Sequence, residues 1–334
     1  MNAVKTMVTG AALLAVVSLT SPSLIAHDAK LRHIHAGTTM PPDHESIAMV
    51  WYPDIPYATA PNTDPNLLSL DIHLLDADAP GSGVQTALKN APVMIYVHGG
   101  GGVRGDKAFS KDLALKPVYF AKREGFVFVS VNYRLGAAGA YPIAQQDVAN
   151  AVAWVHNNIA QFGGDPNQIF LSGHSSGANL VARVATIEKF MKNAGKDLSV
   201  IKGAITMDGG GFDGLAGSET DAGKKRLAAT YGPNRSDWEA ASPIHNVGKS
   251  KYIPPFLLLH IGTPQTRTGT QGGSETDALA MAGALRAGSH HVEVVELIGK
   301  DHNQTSSDIG LHGDAETIAV HRFLAGTPGK KETR

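Results

Sequence analysis

The sequence contains no cysteine. That removes disulfide bridges, thiolate metal sites and a cysteine nucleophile at once, and leaves packing to hold the fold together. Charge is sparse and balanced: 18% of the residues are charged and the formal net charge is −1. No basic field exists to attract nucleic acid, and no acidic run to solvate a tail. The glycines and prolines are scattered through turns and loops without a repeat period. Beyond the first 26 residues there is no long apolar run, so no membrane span is expected in the mature protein.

What the chain does have is length and apolar content. Its 334 residues, 43% of them hydrophobic, suffice for one large core or two smaller ones. Lys5 precedes an apolar run from about Met7 to Leu19, and small residues follow up to Ala26. This order predicts a secretory signal peptide over residues 1–26, with export to a periplasm or the extracellular space. Residues 27–66 are rich in His, Pro, Asp and Thr and read as an irregular N-terminal arm. His27, His33, His35 and His44 lie in it, but no carboxylate or further histidine completes a ligand set, so no metal is expected.

From residue 67 to 325 the pattern changes. Leu67 to Leu75 alternates like a half-buried strand, with Asp71 and His73 on one side. Val93–Val97, Phe126–Val131, Ile201–Met207, Phe256–Leu259 and Val292–Ile298 are short strand-like runs; the first is continuously apolar, and the second reads as another buried strand. Helical patterns fall between them: residues 112–124, a helix opened by Pro142, Ser274 to Ala287, and Asp314 to Leu324. Strands alternating with helices predict an α/β fold, a mostly parallel central sheet with helices on both faces. Residues 212–250 interrupt the rhythm with two helical pieces, around Lys224–Tyr231 and Asp237–Ala241. They read as a small cap insertion near the carboxyl ends of the strands, where ligands bind in such folds. Residues 326–334 read as a flexible tail.

Three segments carry chemistry. The apolar strand ending at Leu171 runs into Gly173-His174-Ser175-Ser176-Gly177 and then a helix with Leu180, Val181, Val184 and Ile187 on one face. A serine at the apex of a tight strand-to-helix turn is a nucleophile elbow; the flanking glycines let the two segments approach closely. Directly after the strand Val93–Val97 stands His98-Gly99-Gly100-Gly101-Gly102. A glycine run exposes bare backbone, and the N–H groups of Gly100 and Gly101, with that of Ser176, are the expected oxyanion donors. The Gly-Lys-Ser/Thr of a phosphate loop is missing. The base should be a late histidine, because the chain order in this architecture is nucleophile, acid, base. His302, in the loop after the last strand, fits; His290 and His291 precede that strand and belong at the opposite edge.

Together these residues resemble the α/β-hydrolase superfamily. The closest likeness is to the branch with a His-Gly-Gly-Gly motif: hormone-sensitive-lipase-like carboxylesterases, arylformamidases, and feruloyl- or acetyl-xylan-esterase-like enzymes. Asn132-Tyr133-Arg134-Leu135, Phe162–Asn167 and Gly299-Lys300-Asp301-His302 also resemble that branch, and the likeness runs from about Leu67 to Leu324. It implies a serine hydrolase with no metal or organic cofactor, and structural roles for Tyr133, Arg134 and Asp165. One feature departs from the pattern. Such enzymes usually carry the triad acid just past a glycine like Gly262, where this chain has Gln265. A neutral amide can orient an imidazole but cannot stabilise an imidazolium. Asp208, at the end of the preceding strand, is the expected substitute; Glu275, Asp277 or a crippled site are the alternatives.

The expectation is therefore an exported serine carboxylesterase that cleaves small carboxylic esters through an acyl-enzyme. Its partner would be a small-molecule ester and not a nucleic acid. The alternatives are an arylformamidase-type amidase and a non-catalytic binding protein of the same fold. Nothing in the sequence sets the oligomeric state.

Overall fold

The computed structural model describes residues 32–35, 48–76, 89–109, 113, 115–262 and 275–327. The expected signal segment, His27, His44, Gln265, Ser274 and the tail from residue 328 lie outside the described residues.

Among the described residues, nine strands form one sheet: β1 (Arg32–His35), β2 (Ala48–Pro56), β3 (Ser69–Leu75), β4 (Ala91–Val97), β5 (Val127–Val131), β6 (Gly164–His174), β7 (Ile201–Met207), β8 (Phe256–His260) and β9 (Val292–Glu296). Their spatial order is β1-β2-β3-β5-β4-β6-β7-β8-β9. The pairs from β1 through β3 to β5 are antiparallel, and every pair from β5 through β4 to β9 is parallel.

The apolar runs become strands because both faces are covered. Along β4 the side chains alternate between two cores. Val93, Ile95 and Val97 enter one with Val152 and Trp154 of the helix Ile143–Asn158, Val181 and Val184 of the helix Ser176–Thr186, and Met281 and Leu285 of the helix Glu275–Ala287. Met94 and Tyr96 enter the other, with Phe120, Phe128 and Phe170, closed by Val320 and Phe323 of the helix Ala315–Gly326. Asp314 caps that last helix by accepting from the Thr317 N–H.

The topology places the site. The chain runs from β4 to β5 on one side, then returns past β4 to lay down β6 on the other. β4 is thus where the winding reverses, and a crevice opens at its carboxyl end. The register aligns the ends that follow: Val97 with Gly173, His174 with Met207, Met207 with Leu259, and His260 with Glu296. The loops after these five strands therefore leave the sheet side by side.

Several expectations need correction. Residues 27–66 are not all irregular: they hold β1 and β2, which extend the sheet in antiparallel fashion, and the start of a short 3-10 turn, Pro65–Leu68. β3 is more than half-buried, and Asp71 and His73 lie inside. The helical reading of 112–124 holds over its described part, where the α-helical turn Lys116–Val118 runs straight into the π-helical turn Tyr119–Arg123. The segment 212–250 carries three α-helices, Asp221–Tyr231, Arg235–Ala241 and Pro243–Asn246, and a 3-10 turn, Val247–Lys249, where two helical pieces were expected. They are fastened to the flank of the helix Ser176–Thr186, where the buried Arg183 donates to the Ala241 carbonyl (2.9 Å) and the Tyr231 hydroxyl (2.7 Å). No helix among the described residues is long and apolar enough to cross a membrane.

Candidate active site

Ser175 stands between β6 and its helix with φ 55° and ψ −120°, a conformation that costs an L-residue about 1–3 kcal/mol. The surroundings enforce it. Its N–H donates to the Met207 carbonyl at 3.0 Å, tying the turn to β7. The glycines of the motif are required by space: a Cβ on Gly173 would stand 2.6 Å from the Gly177 carbonyl, and one on Gly177 would stand 2.2 Å from the Val97 oxygen. The helix can thus start against the end of β4.

His302 sits between β9 and the short helix Gln304–Ser307. Its Nε2 is 2.9 Å from Ser175 Oγ, and its Nδ1 is 2.6 Å from Asp208 Oδ2. A carboxylate only accepts, so Nδ1 carries the hydrogen and Nε2 turns a lone pair toward the serine. Asp208 follows β7 directly, is buried, and has a positive φ of 44°. Its own N–H donates to the Leu259 carbonyl at 2.8 Å, which fixes the carboxylate between β7 and β8. Of the acids weighed from sequence, Asp208 is the one bonded to His302. Glu275 opens the helix Glu275–Ala287 and is partly exposed.

The glycine loop occupies the other side of Ser175. Gly100, Gly101 and Gly102 have φ of 115°, 67° and 72°, three successive values that only glycine takes without strain. At Gly100 a Cβ would lie 2.0 Å from the Arg104 oxygen. Among the described residues no hydrogen bond is donated by the backbone N–H of Gly100, Gly101 or Ser176. The Gly102 N–H, by contrast, is engaged. Tyr133 braces the start of the loop: its hydroxyl donates to the His98 carbonyl at 2.9 Å, and its ring stacks on the His98 ring at 4.5 Å. Arg134 is held by Asp147 in a two-pronged pair of 2.8 and 2.6 Å; that bond raises the guanidinium's pKa, against the effect of burial. Asp165 closes a local turn by accepting from the Asn167 N–H. All three contacts are structural.

The sequence did not disclose what anchors the loops. Lys107 ends the glycine loop as a buried ammonium, 2.6 Å from Asp54, 3.2 Å from Asp71 and 2.8 Å from the Asn66 amide oxygen. Its backbone N–H donates to Asn132 Oδ1 at 2.6 Å. Beside it His73 is pushed down to about 3 by burial, with the Lys107 charge adding to the effect. Lys300 anchors the base loop, 2.6 Å from Asp314 and 3.4 Å from both Asp308 and Glu316. The one signal for either lysine was its place beside a motif.

Comparison with known proteins gives the family and the fold. The sequence model of the Carboxylesterase family matches residues 57–242, more than half of the chain. Esterase LipQ of Mycobacterium tuberculosis is 29% identical over 254 residues, covering 71% of this chain and 56% of that protein. Isoprenylcysteine alpha-carbonyl methylesterase ICME of Arabidopsis thaliana is 28% identical over 239 residues, covering 68% and 54%. The chain thus spans about half the length of these curated relatives. Among solved structures, native esterase Est2 of Thermogutta terrifontis superposes with a TM-score of 0.59 at 22% identity, over 79% of this chain and 91% of that one, which establishes the fold. The family match spans both the glycine loop and the elbow, and the fold around them is shared with the Thermogutta esterase. The chain belongs to the carboxylesterase family of the α/β-hydrolase superfamily.

Proposed function

We propose that the protein hydrolyses small carboxylic esters through an acyl-enzyme on Ser175. Ser175 Oγ attacks the acyl carbon while its proton passes to His302 Nε2, and Asp208 stabilises the resulting imidazolium. The negative charge that develops on the acyl oxygen is received by the N–H groups of Gly100, Gly101 and Ser176. A removed donor of this kind costs about 10²–10³ in turnover. The C–O bond then breaks, His302 Nε2–H protonates the departing alkoxide, and water repeats the sequence to release the acid. No metal or organic cofactor enters these steps.

The observation that carries this reading is the unbroken chain Ser175 Oγ–His302–Asp208, at 2.9 and 2.6 Å, beside amides that donate to no other group among the described residues. A structure of the Thermogutta esterase with butyrate bound supports a small acyl group for this site too. The His98–Gly101 segment supports placement in the His-Gly-Gly-Gly branch. The basic, apolar and small-residue order of residues 1–26 supports export, so the enzyme would act in a periplasm or outside the cell.

Short p-nitrophenyl esters and N-formyl-kynurenine, assayed in parallel, test the reaction. Ester turnover should dominate, and a fluorophosphonate probe should label wild-type protein but not Ser175→Ala. Folded wild-type protein that turned over no ester and took up no probe would overturn the proposal. Preference for the formamide would make the enzyme an amidase.

A further inference from the structure

The elbow motif fixes two glycines and a serine and leaves the residues beside the serine open. Here those residues are His174 and Ser176, and both side chains reach across to other segments. His174 ends β6 and is buried. Its Nε2 lies 2.7 Å from the His302 backbone oxygen. A carbonyl only accepts, so that nitrogen carries the hydrogen and donates it. The two imidazole rings lie 4.6 Å apart, tilted by 36°. On the other side of Ser175, the Ser176 hydroxyl accepts from the Gly102 N–H at 3.2 Å. One neighbour of the nucleophile thus grips the base loop, and the other grips the glycine loop.

These bonds tie the base and glycine loops to the elbow itself, which after acylation the remaining triad contact, His302 to Asp208, does not do. The Ser175–His302 hydrogen bond disappears once the serine is acylated, yet the base must stay in place to activate water. The bond from His174 survives that step, because it ends on the backbone of His302. Thr305 also donates to the same carbonyl, at 2.8 Å. Thr305 belongs to the base loop itself, however, so its bond stiffens the loop without setting its distance from the elbow. Ser176 acts likewise toward the glycine loop. Its hydroxyl holds Gly102, and its own N–H remains free to meet the oxyanion with those of Gly100 and Gly101.

We infer that His174 and Ser176 are positioning residues: His174 fixes the catalytic base, and the Ser176 hydroxyl fixes the oxyanion loop, each to the nucleophile's turn. The inference rests on the proposed ester hydrolysis for its kinetic consequences, but the His174 contact can also be tested without turnover.

The test compares full-length His174→Gln, His174→Leu and Ser176→Ala. Glutamine places an amide N–H near the position of the histidine Nε2–H, and leucine fills similar space without a donor. His174→Leu should lower kcat about 100-fold, the scale of a misplacement near 1 Å, with KM held within about twofold. His174→Gln should restore most of that loss. Ser176→Ala keeps its backbone N–H and should lower kcat about tenfold at constant KM, less than the removal of a donor. The downfield 1H signal of the proton between His302 Nδ1 and Asp208 gives a readout independent of activity. It should broaden in His174→Leu and persist in His174→Gln. If leucine does not fold at 174, methionine, which also lacks a donor, replaces it.

Equal kcat and equal signals in the leucine and glutamine variants would remove His174 from this role. A raised KM with unchanged kcat in Ser176→Ala would make that hydroxyl a substrate contact instead. If the wild type hydrolysed no ester, the functional reading would fall, while the 1H comparison would still decide the role of His174.

Discussion

The glycine loop and the base loop approach Ser175 from opposite sides, and each is tied down by a lysine, yet the two ties are built differently. Lys107 has two carboxylates and an amide around it, and one of the carboxylates, Asp54, has a side chain 71% exposed. Lys300 faces three carboxylates, of which Glu316 is fully buried. In both cases burial works to lower the lysine's pKa. The hydrogen bond to Asp54 and the charge of Asp71 outweigh it at Lys107; Asp314 and Glu316 do so at Lys300. Both ammonium groups therefore stay above their ordinary value. The difference lies in what is left if the lysine goes: one buried acid on the glycine side, a crowd of acids on the base side. The loop that carries His302 is tied through the larger number of acids, so a mutation of its lysine has more to lose.

The upper bound for damage on the base side is loss of the acid itself. Asp208→Asn keeps the shape at His302 Nδ1 but removes the charge that stabilises the imidazolium. Turnover should fall by about 10⁴ with stability little changed, following the serine-protease precedent. Steady-state kinetics on a short ester checks this. Near wild-type kcat would mean that another carboxylate serves His302, and the base loop would lose its role as the sensitive one.

Next comes the base-side tie. Lys300→Met leaves Asp308, Asp314 and Glu316 facing one another without a cation between them. Breaking a buried pair from one side costs about 3–5 kcal/mol, and three acids around one site argue for the upper part of that range. Denaturant unfolding should show the loss, and kcat should fall with it because His302 is two residues away. On the glycine side Lys107→Met should cost about 2 kcal/mol, below the usual range for a broken buried pair, because Asp54 can turn to water. Asp71 remains inside; burial already raises its pKa, so it can take up a proton when the lysine leaves. Adding Asp71→Asn to Lys107→Met should recover part of the loss. If Lys107→Met proved the more damaging variant, the contrast between the loops would be reversed.

Much of this architecture can be read from the chain before folding. The short, largely apolar runs at Val93–Val97 and Val127–Val131 point to strands buried on both faces, since they are too short for a buried helix. The elbow, the glycine run and His302 were legible because each follows its own strand. β2 was not. Its run Ala48–Pro56 contains Pro53 and Asp54, and the structure absorbs them in a register break between Tyr52 and Ile55, with Asp54 at φ 56°. A bulge of this kind erases the alternation that signals a strand. Asp208 was legible only as one of several acids, since its distance from His302 depends on the register of β6, β7 and β8. The lysine ties were invisible for the same reason. Lys107 meets Asp54 and Asp71 only because β2 and β3 pair beside β5, far from the glycine loop in sequence. Composition and spacing reveal groups that must sit next to a strand end, and do not reveal partners brought in by sheet order.

The smallest effect isolates Glu316, which differs from Asp71, the buried acid on the glycine side, in that both Asp71 oxygens accept hydrogen bonds, from the Trp51 indole and the Asp54 N–H. Desolvation raises its pKa well above the ordinary glutamate value, and the attraction of Lys300 and Lys116 only partly opposes this. Its Oε1 accepts no hydrogen bond among the described residues. A raised folded-state pKa means that the native protein holds a proton which the unfolded chain releases. Stability is therefore undiminished below the ordinary glutamate pKa, and is lost as pH rises toward the folded value. Glu316→Gln removes that titration. Thermal melts should find the variant and wild type alike at low pH, with the variant gaining about 1 kcal/mol on the alkaline side, the scale of one unmet buried polar group. If Glu316→Gln were instead less stable at alkaline pH, the pairing of Glu316 with Lys300 would outweigh its desolvation, and Glu316 would count fully as the third acid of the tie.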